Sequence, residues 1–194
     1  MPVVPPEMCP LPPSVLKMLA AETFAEETEQ VSNKVPTDPL TEENIKKFAD
    51  AWYLALDQHA PEAEIVKLLA DDGLKMIFPE STLEGLSDFL AWYRGGKTAA
   101  GNDLPGVINI FFDENHNVAS VKPTISGDGA EVDVVVAWQA SWFTPPAAKS
   151  KRTAMDATQR WTLRRSNKNE YGLEIASYNA VVIPFQYAPG AARL

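Results

Sequence analysis

An α+β fold, with N-terminal helices packed on a strongly curved antiparallel sheet, is predicted by three features of this 194-residue sequence. Apolar residues recur at three- and four-residue steps between 41 and 93, then alternate with period two between 107 and 182. Short polar turns separate the alternating runs, which is the signature of strands that neighbour one another in sequence and in space.

The elements follow in order. Residues 1–13 hold six of the 16 prolines and read as an extended arm. Ser14 caps a helix from Val15 to about Gln30, with Leu16, Leu19, Ala20 and Phe24 at helical spacing, and VSNKVPTDP reads as a linker. Residues 1–38 are thus an N-terminal arm and helix, 39–185 one domain, and 186–194 a C-terminal tail. Thr41 caps the first domain helix, with Glu42 and Glu43 in the first turn and Asn44 at the capping-box offset. Ile45, Phe48, Ala49, Trp52, Leu56 and His59 lie along one face of it. Pro61 starts a second helix, Glu62 to Ala70, stopped by Gly73. Residues 74–79 (LKMIFP) form a short strand, and a helix from about Leu83 carries Leu86, Phe89, Leu90 and Tyr93 up to Gly95-Gly96.

Five strands then follow, at 107–112, 117–126, 130–143, 152–166 and 171–182, separated by DENH, GDG, TPPAAKSK and NKNE. Connections this short imply an antiparallel meander, and the two longest strands call for coiling or a bulge. Val132, Val134, Val136, Trp138, Ala140 and Trp142 share the core face of the third, and Met155, Ala157, Gln159, Trp161 and Leu163 that of the fourth. Asp156 faces outward by the same period.

Composition narrows function by exclusion. The 45% hydrophobic and 22% charged content is that of a globular domain, not a disordered chain. Seventeen Lys and Arg against 26 Asp and Glu give a formal net charge of −9, which repels phosphate backbones and anionic lipid. No nucleic-acid or membrane partner is expected. Cys9 is the only cysteine, excluding an internal disulfide and Cys-rich zinc sites. MPVVPPEMCPLPP lacks the basic and apolar regions of a signal peptide, so a cytoplasmic protein is expected. No G-x-S-x-G elbow, P-loop or dinucleotide fingerprint occurs, and no cofactor or metal is expected.

Several side chains carry candidate chemistry. Gln159 lies on an apolar strand face, where an amide needs a partner or a ligand. Tyr178 can present a hydroxyl to the same interior. Five tryptophans, Trp52, Trp92, Trp138, Trp142 and Trp161, suit either an aromatic cavity wall or a plain core. His59 has two readings, a pocket acid or base and a partner for carbonyls at the helix end. Asp57 lies on a different helical face and reads as exposed or as a cap for the next helix. His116, flanked by acids in Phe112-Asp113-Glu114-Asn115-His116, reads as a pocket group or as part of a solvated turn.

The order helix, helix, strand, helix, hairpins, and above all ALDQHAPEAEIVKLLADDGLKMIFPESTLEGLSDFLAWYRG and HNVASVKPTISGDGAEVDVVVAWQASW, resembles the nuclear transport factor 2-like superfamily. That superfamily includes ketosteroid isomerases, scytalone dehydratase and SnoaL-like polyketide cyclases. The resemblance covers about residues 40–183 and implies a cone-shaped α+β domain. It does not carry steroid-isomerase chemistry over. Trp52 stands at the position of the isomerases' catalytic tyrosine, with Tyr53 one step round the helix, and Phe78 precedes Pro79 where their general-base aspartate would stand. Glu80 could substitute only if its loop turns inward. A histidine at the start of the strand 117–126 often points into the cone in the resemblance, which makes His116 the leading pocket group.

The expected function is therefore binding of a small apolar or aromatic molecule by Trp52, Met76, Phe78, Trp92, Trp138 and Trp161. In the enzymatic version, a cofactor-free isomerase, dehydratase or cyclase, His116 moves a proton while Tyr53, Gln159 or Tyr178 polarises a carbonyl. The alternative is a non-catalytic ligand carrier or interaction module. A homodimer through the outer sheet face around Val135 and Ala137 is expected in either case.

Overall fold

The computed structural model describes residues 38–143 and 146–194; the helix expected from Val15 to Gln30 lies outside them. Helix α1 (Glu42–Asp57) starts where Thr41 Oγ1 accepts the backbone N–H of Asn44 at 3.2 Å. Such a cap is worth about 1 kcal/mol. The Asn44 amide does not close a capping box; it donates to the carbonyls of Pro39 and Tyr171, both at 2.8 Å. This ties the helix start to the loop before the last long strand. One face of α1 buries Ile45, Phe48, Ala49, Trp52, Tyr53 and Leu56.

The end of α1 differs from the expectation in a way that matters for the site. The helix stops at Asp57, and His59 takes a left-handed conformation, φ 48°, while Ala60 N–H reaches back to Ala55 O at 2.9 Å and His59 N–H to Leu56 O at 3.0 Å. That pattern is a Schellman ending, in which glycine is the usual left-handed residue. His59 therefore does not continue the face of Trp52 and Leu56; a sequence of helical steps cannot show where the chain leaves the helix.

Helix α2 is only Glu62–Ile65 with a 3₁₀ turn over Val66–Leu68, shorter than the expected 62–70, because Leu69 bridges to Ile175 as extended backbone. Strands β1 (Lys75–Ile77) and β2 (Thr82–Glu84) form a small hairpin, and α3 (Gly85–Arg94) begins after it, so Leu83 belongs to a strand. Asp88 of α3 is buried, but its carboxylate accepts the N–H groups of Glu84 (3.1 Å) and Ala99 (2.6 Å). A two-stranded ladder, β3 (Gly96–Lys97) with β4 (Asp103–Leu104), and a single turn, α4 (Val107–Ile110), lead to the main sheet. Residues 107–110 were expected as strand. They are helical because Gly106, φ 85°, packs on Gly95, where any Cβ would lie 2.3 Å from the Gly95 nitrogen.

Four long strands make the meander: β5 (Phe111–Ser126), β6 (Gly129–Trp142), β7 (Lys151–Arg165) and β8 (Leu173–Asn179). The sheet order is β2-β1-β8-β7-β6-β5, antiparallel except that β1 runs parallel to β8. β9 (Gln186–Tyr187), in the segment expected as a tail, pairs with β7 at Met155 and Asp156. The DENH segment is not a turn but part of β5. Two β-bulges interrupt β5, one between Phe112 and Asn115, with Asp113 at φ 52°, the other between Val118 and Ser120. Each leaves one extra residue opposite β6 and increases local coiling, which bends the sheet around α1. Turn-forming residue types suit a bulge as well as a hairpin, which is why composition alone misleads here.

The inner face of the sheet and the buried face of α1 share one core containing Phe48, Trp52, Phe89, Val134, Trp161 and Ile175. No helix among the described residues is long and apolar enough to cross a membrane.

Candidate functional site

The core does not fill the interior completely. A cavity of about 320 Å³ opens between the end of α1, the β1–β2 loop, α4 and the inner faces of β5, β6, β7 and β8. Its volume lies in the range of small-molecule sites. Of the residues singled out in the sequence, His116, Gln159, Tyr178, Phe78, Trp92 and Trp138 line it. Tyr53, Trp52, Met76 and Trp161 do not: they are almost fully buried and sit behind the wall as its support. Trp142 is also in the wall.

His116 is the centre of the site. Its Nδ1 lies 2.5 Å from Asp57 Oδ1, and its own backbone N–H donates to Asp57 Oδ2 at 2.9 Å. Asp57 thus grips both ring and backbone of a residue 59 positions away. This corrects the reading of Asp57 as exposed or as a helix cap. The imidazole is stacked between the Tyr53 ring (centroids 4.9 Å) and the Trp138 ring (5.7 Å), each at 25°. In the neutral tautomer that donates Nδ1–H to Asp57, Nε2 carries the lone pair. Nε2 makes no hydrogen bond among the described residues.

A second acid–imidazole pair adjoins the first. His59 Nε2 lies 2.9 Å from Glu114 Oε1, and Trp138 Nε1 donates to Glu114 Oε2 at 3.3 Å. Glu114 is a cavity residue whose side chain is only 9% exposed, and His59, at 30%, is on the solvent side of it. The first bulge of β5 makes this arrangement: Phe111 faces Trp142, His116 faces Trp138, and Glu114 is turned inward within the extra residue between them. Glu80 stays exposed at the cavity mouth, where it accepts Trp92 Nε1 at 2.9 Å.

Gln159 has the partner its position demands. Its Oε1 accepts from Tyr53 Oη at 2.8 Å and from Trp161 Nε1 at 3.0 Å. These two donors fix the amide orientation and turn the NH₂ group away from them, toward the Tyr178 hydroxyl. Burial pushes the Tyr53 phenol well above its usual value and the Tyr178 phenol up to about 12. Both are neutral hydroxyls at physiological pH. The indole Nε1 of buried Trp52 lacks a partner. Among the described residues no three His, Cys, Asp or Glu side chains converge as metal ligands.

Sequence reasoning missed Asp57 and Glu114. A signal existed for Asp57: a carboxylate in the last position of a helix faces the negative end of the macrodipole and needs a compensating donor elsewhere.

No family model and no curated protein matches the sequence. Solved structures do match in shape. LinA superposes with a TM-score of 0.54 at 13% identity over 78% of this chain and 92% of its own. Hexachlorocyclohexane dehydrochlorinase LinA-type3 from Novosphingobium barchaimii LL02 gives 0.53 at 12% over 78% and 92%. A nuclear transport factor 2 (NTF2-like) superfamily protein from Salmonella enterica gives 0.50 at 13% over 78% and 91%. Identities this low establish the fold and leave the chemistry to the residues.

Proposed function

We propose that this chain, a nuclear transport factor 2-like α+β cone, binds a small, largely apolar or aromatic molecule and acts on it as a cofactor-free proton-transfer enzyme, an isomerase or a lyase. The observation that carries the proposal is the Asp57–His116 pair on the wall of an aromatic cavity. Imidazole is the side chain best matched to proton transfer near neutral pH, and a half-buried carboxylate on Nδ1 orients it and stabilises the imidazolium formed on turnover. In this reading His116 Nε2 takes a proton from a substrate carbon. The electron pair left behind moves onto an adjacent carbonyl oxygen, and the Gln159 NH₂ group, already oriented by Tyr53 and Trp161, donates to that oxygen. Return of the proton to a different carbon is isomerisation; departure of a β-substituent with the electron pair is elimination. Both LinA structures named above share this fold, one of them by name a dehydrochlorinase, which supports the second outcome as a reaction of this kind of cone.

The test is proton exchange at an activated carbon. 2-Tetralone in deuterium oxide, followed by NMR, should lose its α-proton signal faster with protein than without. His116→Ala should abolish the acceleration. Retained binding with no exchange in the unmodified protein would replace catalysis by ligand carriage.

A further inference from the structure

The charges around the cavity restrict what can enter it. The wall contains two carboxylates, Glu114 and Glu80, and the dyad adds Asp57 behind His116. No lysine or arginine is among the lining residues. Lys151 Nζ lies 5.7 Å from the centroid of the Trp142 ring but does not line the space. Three carboxylates therefore face two imidazoles, His59 and His116. Even with both imidazoles protonated the local balance stays negative, and Glu114 is placed where water cannot screen it well, its side chain 9% exposed. An anionic group entering this space would lose its hydration and meet a surround with a net excess of negative charge.

One polar group in the wall asks for a ligand. Gln159 is 5% exposed, its Oε1 is saturated by Tyr53 and Trp161, and its NH₂, with one hydrogen toward the Tyr178 hydroxyl, keeps a second for a ligand. It is a donor, so the matching ligand atom is an acceptor. An uncharged oxygen meets that need; a carboxylate or phosphate would satisfy Gln159 but be repelled by Glu114. Apart from the Tyr178 hydroxyl and His116, the remaining lining, including Phe78, Trp92, Trp138 and Met155, is largely apolar.

We infer that Glu114 and Glu80 are specificity residues that exclude anions, so that the site takes an uncharged aromatic or alicyclic carbonyl compound whose oxygen docks on Gln159. This rests on the proton-transfer reading for the identity of the site but not for its selectivity. His59 fits the role as well: it holds Glu114 from the solvent side and keeps the carboxylate turned toward the cavity.

The experiment compares 2-tetralone with 6-carboxy-2-tetralone, which has the same reactive ketone and one added negative charge, by calorimetry and by exchange in deuterium oxide. The neutral ketone should bind at least about tenfold more tightly at pH 7. Glu114→Gln should narrow that ratio by raising affinity for the acid by a larger factor than it changes affinity for the ketone. Since Glu114→Gln could perturb the wall, Glu80→Gln at the mouth gives a second reading, with a smaller shift in the same direction. Equal binding of the two compounds, a preference for the acid, or binding of neither overturns the inference. Neutral-selective binding without exchange would sustain it while removing the proton-transfer reading. Exchange of both compounds at equal rates would do the reverse.

Discussion

Replacing Gln159 by leucine tests the inner polar cluster most directly, because size is nearly conserved and only hydrogen bonding changes. Tyr53 and Trp161 are 1% and 0% exposed, and Gln159 Oε1 is the acceptor for both. Stranding each donor costs about 1–3 kcal/mol. Against this, burying leucine instead of an amide recovers about 1–3 kcal/mol. A net loss of about 1–3 kcal/mol is therefore expected for Gln159→Leu. Tyr53→Phe alone should cost about 0.5–1.5 kcal/mol, since Trp161 still holds the amide. In the double variant the stranded hydroxyl no longer exists, so its cost should fall short of the two single costs together by about 1–3 kcal/mol. Urea unfolding followed by tryptophan fluorescence gives all four corners of the cycle, with m-values checked for equality. Additivity to within about 0.3 kcal/mol would refute the argument that Gln159 is oriented by Tyr53.

Asp57→Asn preserves shape but withdraws the charge that stabilises an imidazolium at His116; the exchange rate of 2-tetralone should fall by roughly 10²–10⁴ while its affinity changes little, read by NMR and calorimetry. The Tyr93 and Tyr178 phenols, both raised to about 12 chiefly by burial, should show phenolate absorbance at 295 nm only near that pH. The unfolded chain ionises first, near pH 10, so the Tyr178 contribution to stability is intact below pH 10 and is lost as pH rises toward 12. The difference is worth roughly 3 kcal/mol, measurable by urea unfolding across that window. Gly106→Ala should destabilise by about 3 kcal/mol or more, because a Cβ would meet backbone atoms of Gly95 and Arg94 at a positive φ; thermal unfolding reads the loss directly.

Periodic signals were legible where they were long. Helix α1 and strands β6 and β7 follow from their apolar spacing, and with them the curved sheet and its inner face. VINIFF misled because a six-residue apolar run fits strand and buried helix equally, and the decision lay in a glycine contact between residues 95 and 106. The candidate site was half legible. Gln159 stood out as an amide on an apolar face, whereas Asp57 could not, since its partner is set by how a helix end meets β5. Trp52 and Trp161 illustrate the limit from the other side: helical spacing places the first inward and strand alternation the second, but only packing decides whether an inward ring reaches the cavity or supports the ring that does.

The two bulges of β5 separate shape from chemistry. Pairing of Val118 with Val136 and of Ser120 with Val135 leaves Ala119 as the inserted residue, and a chain without it could keep both pairs. His116 would still oppose Trp138. Loss of one alanine would thus relax the bend while every reactive group kept its neighbour. A deletion at the second bulge therefore acts as a width control, able to resize the chamber for a different ligand without rewriting the residues that act on it.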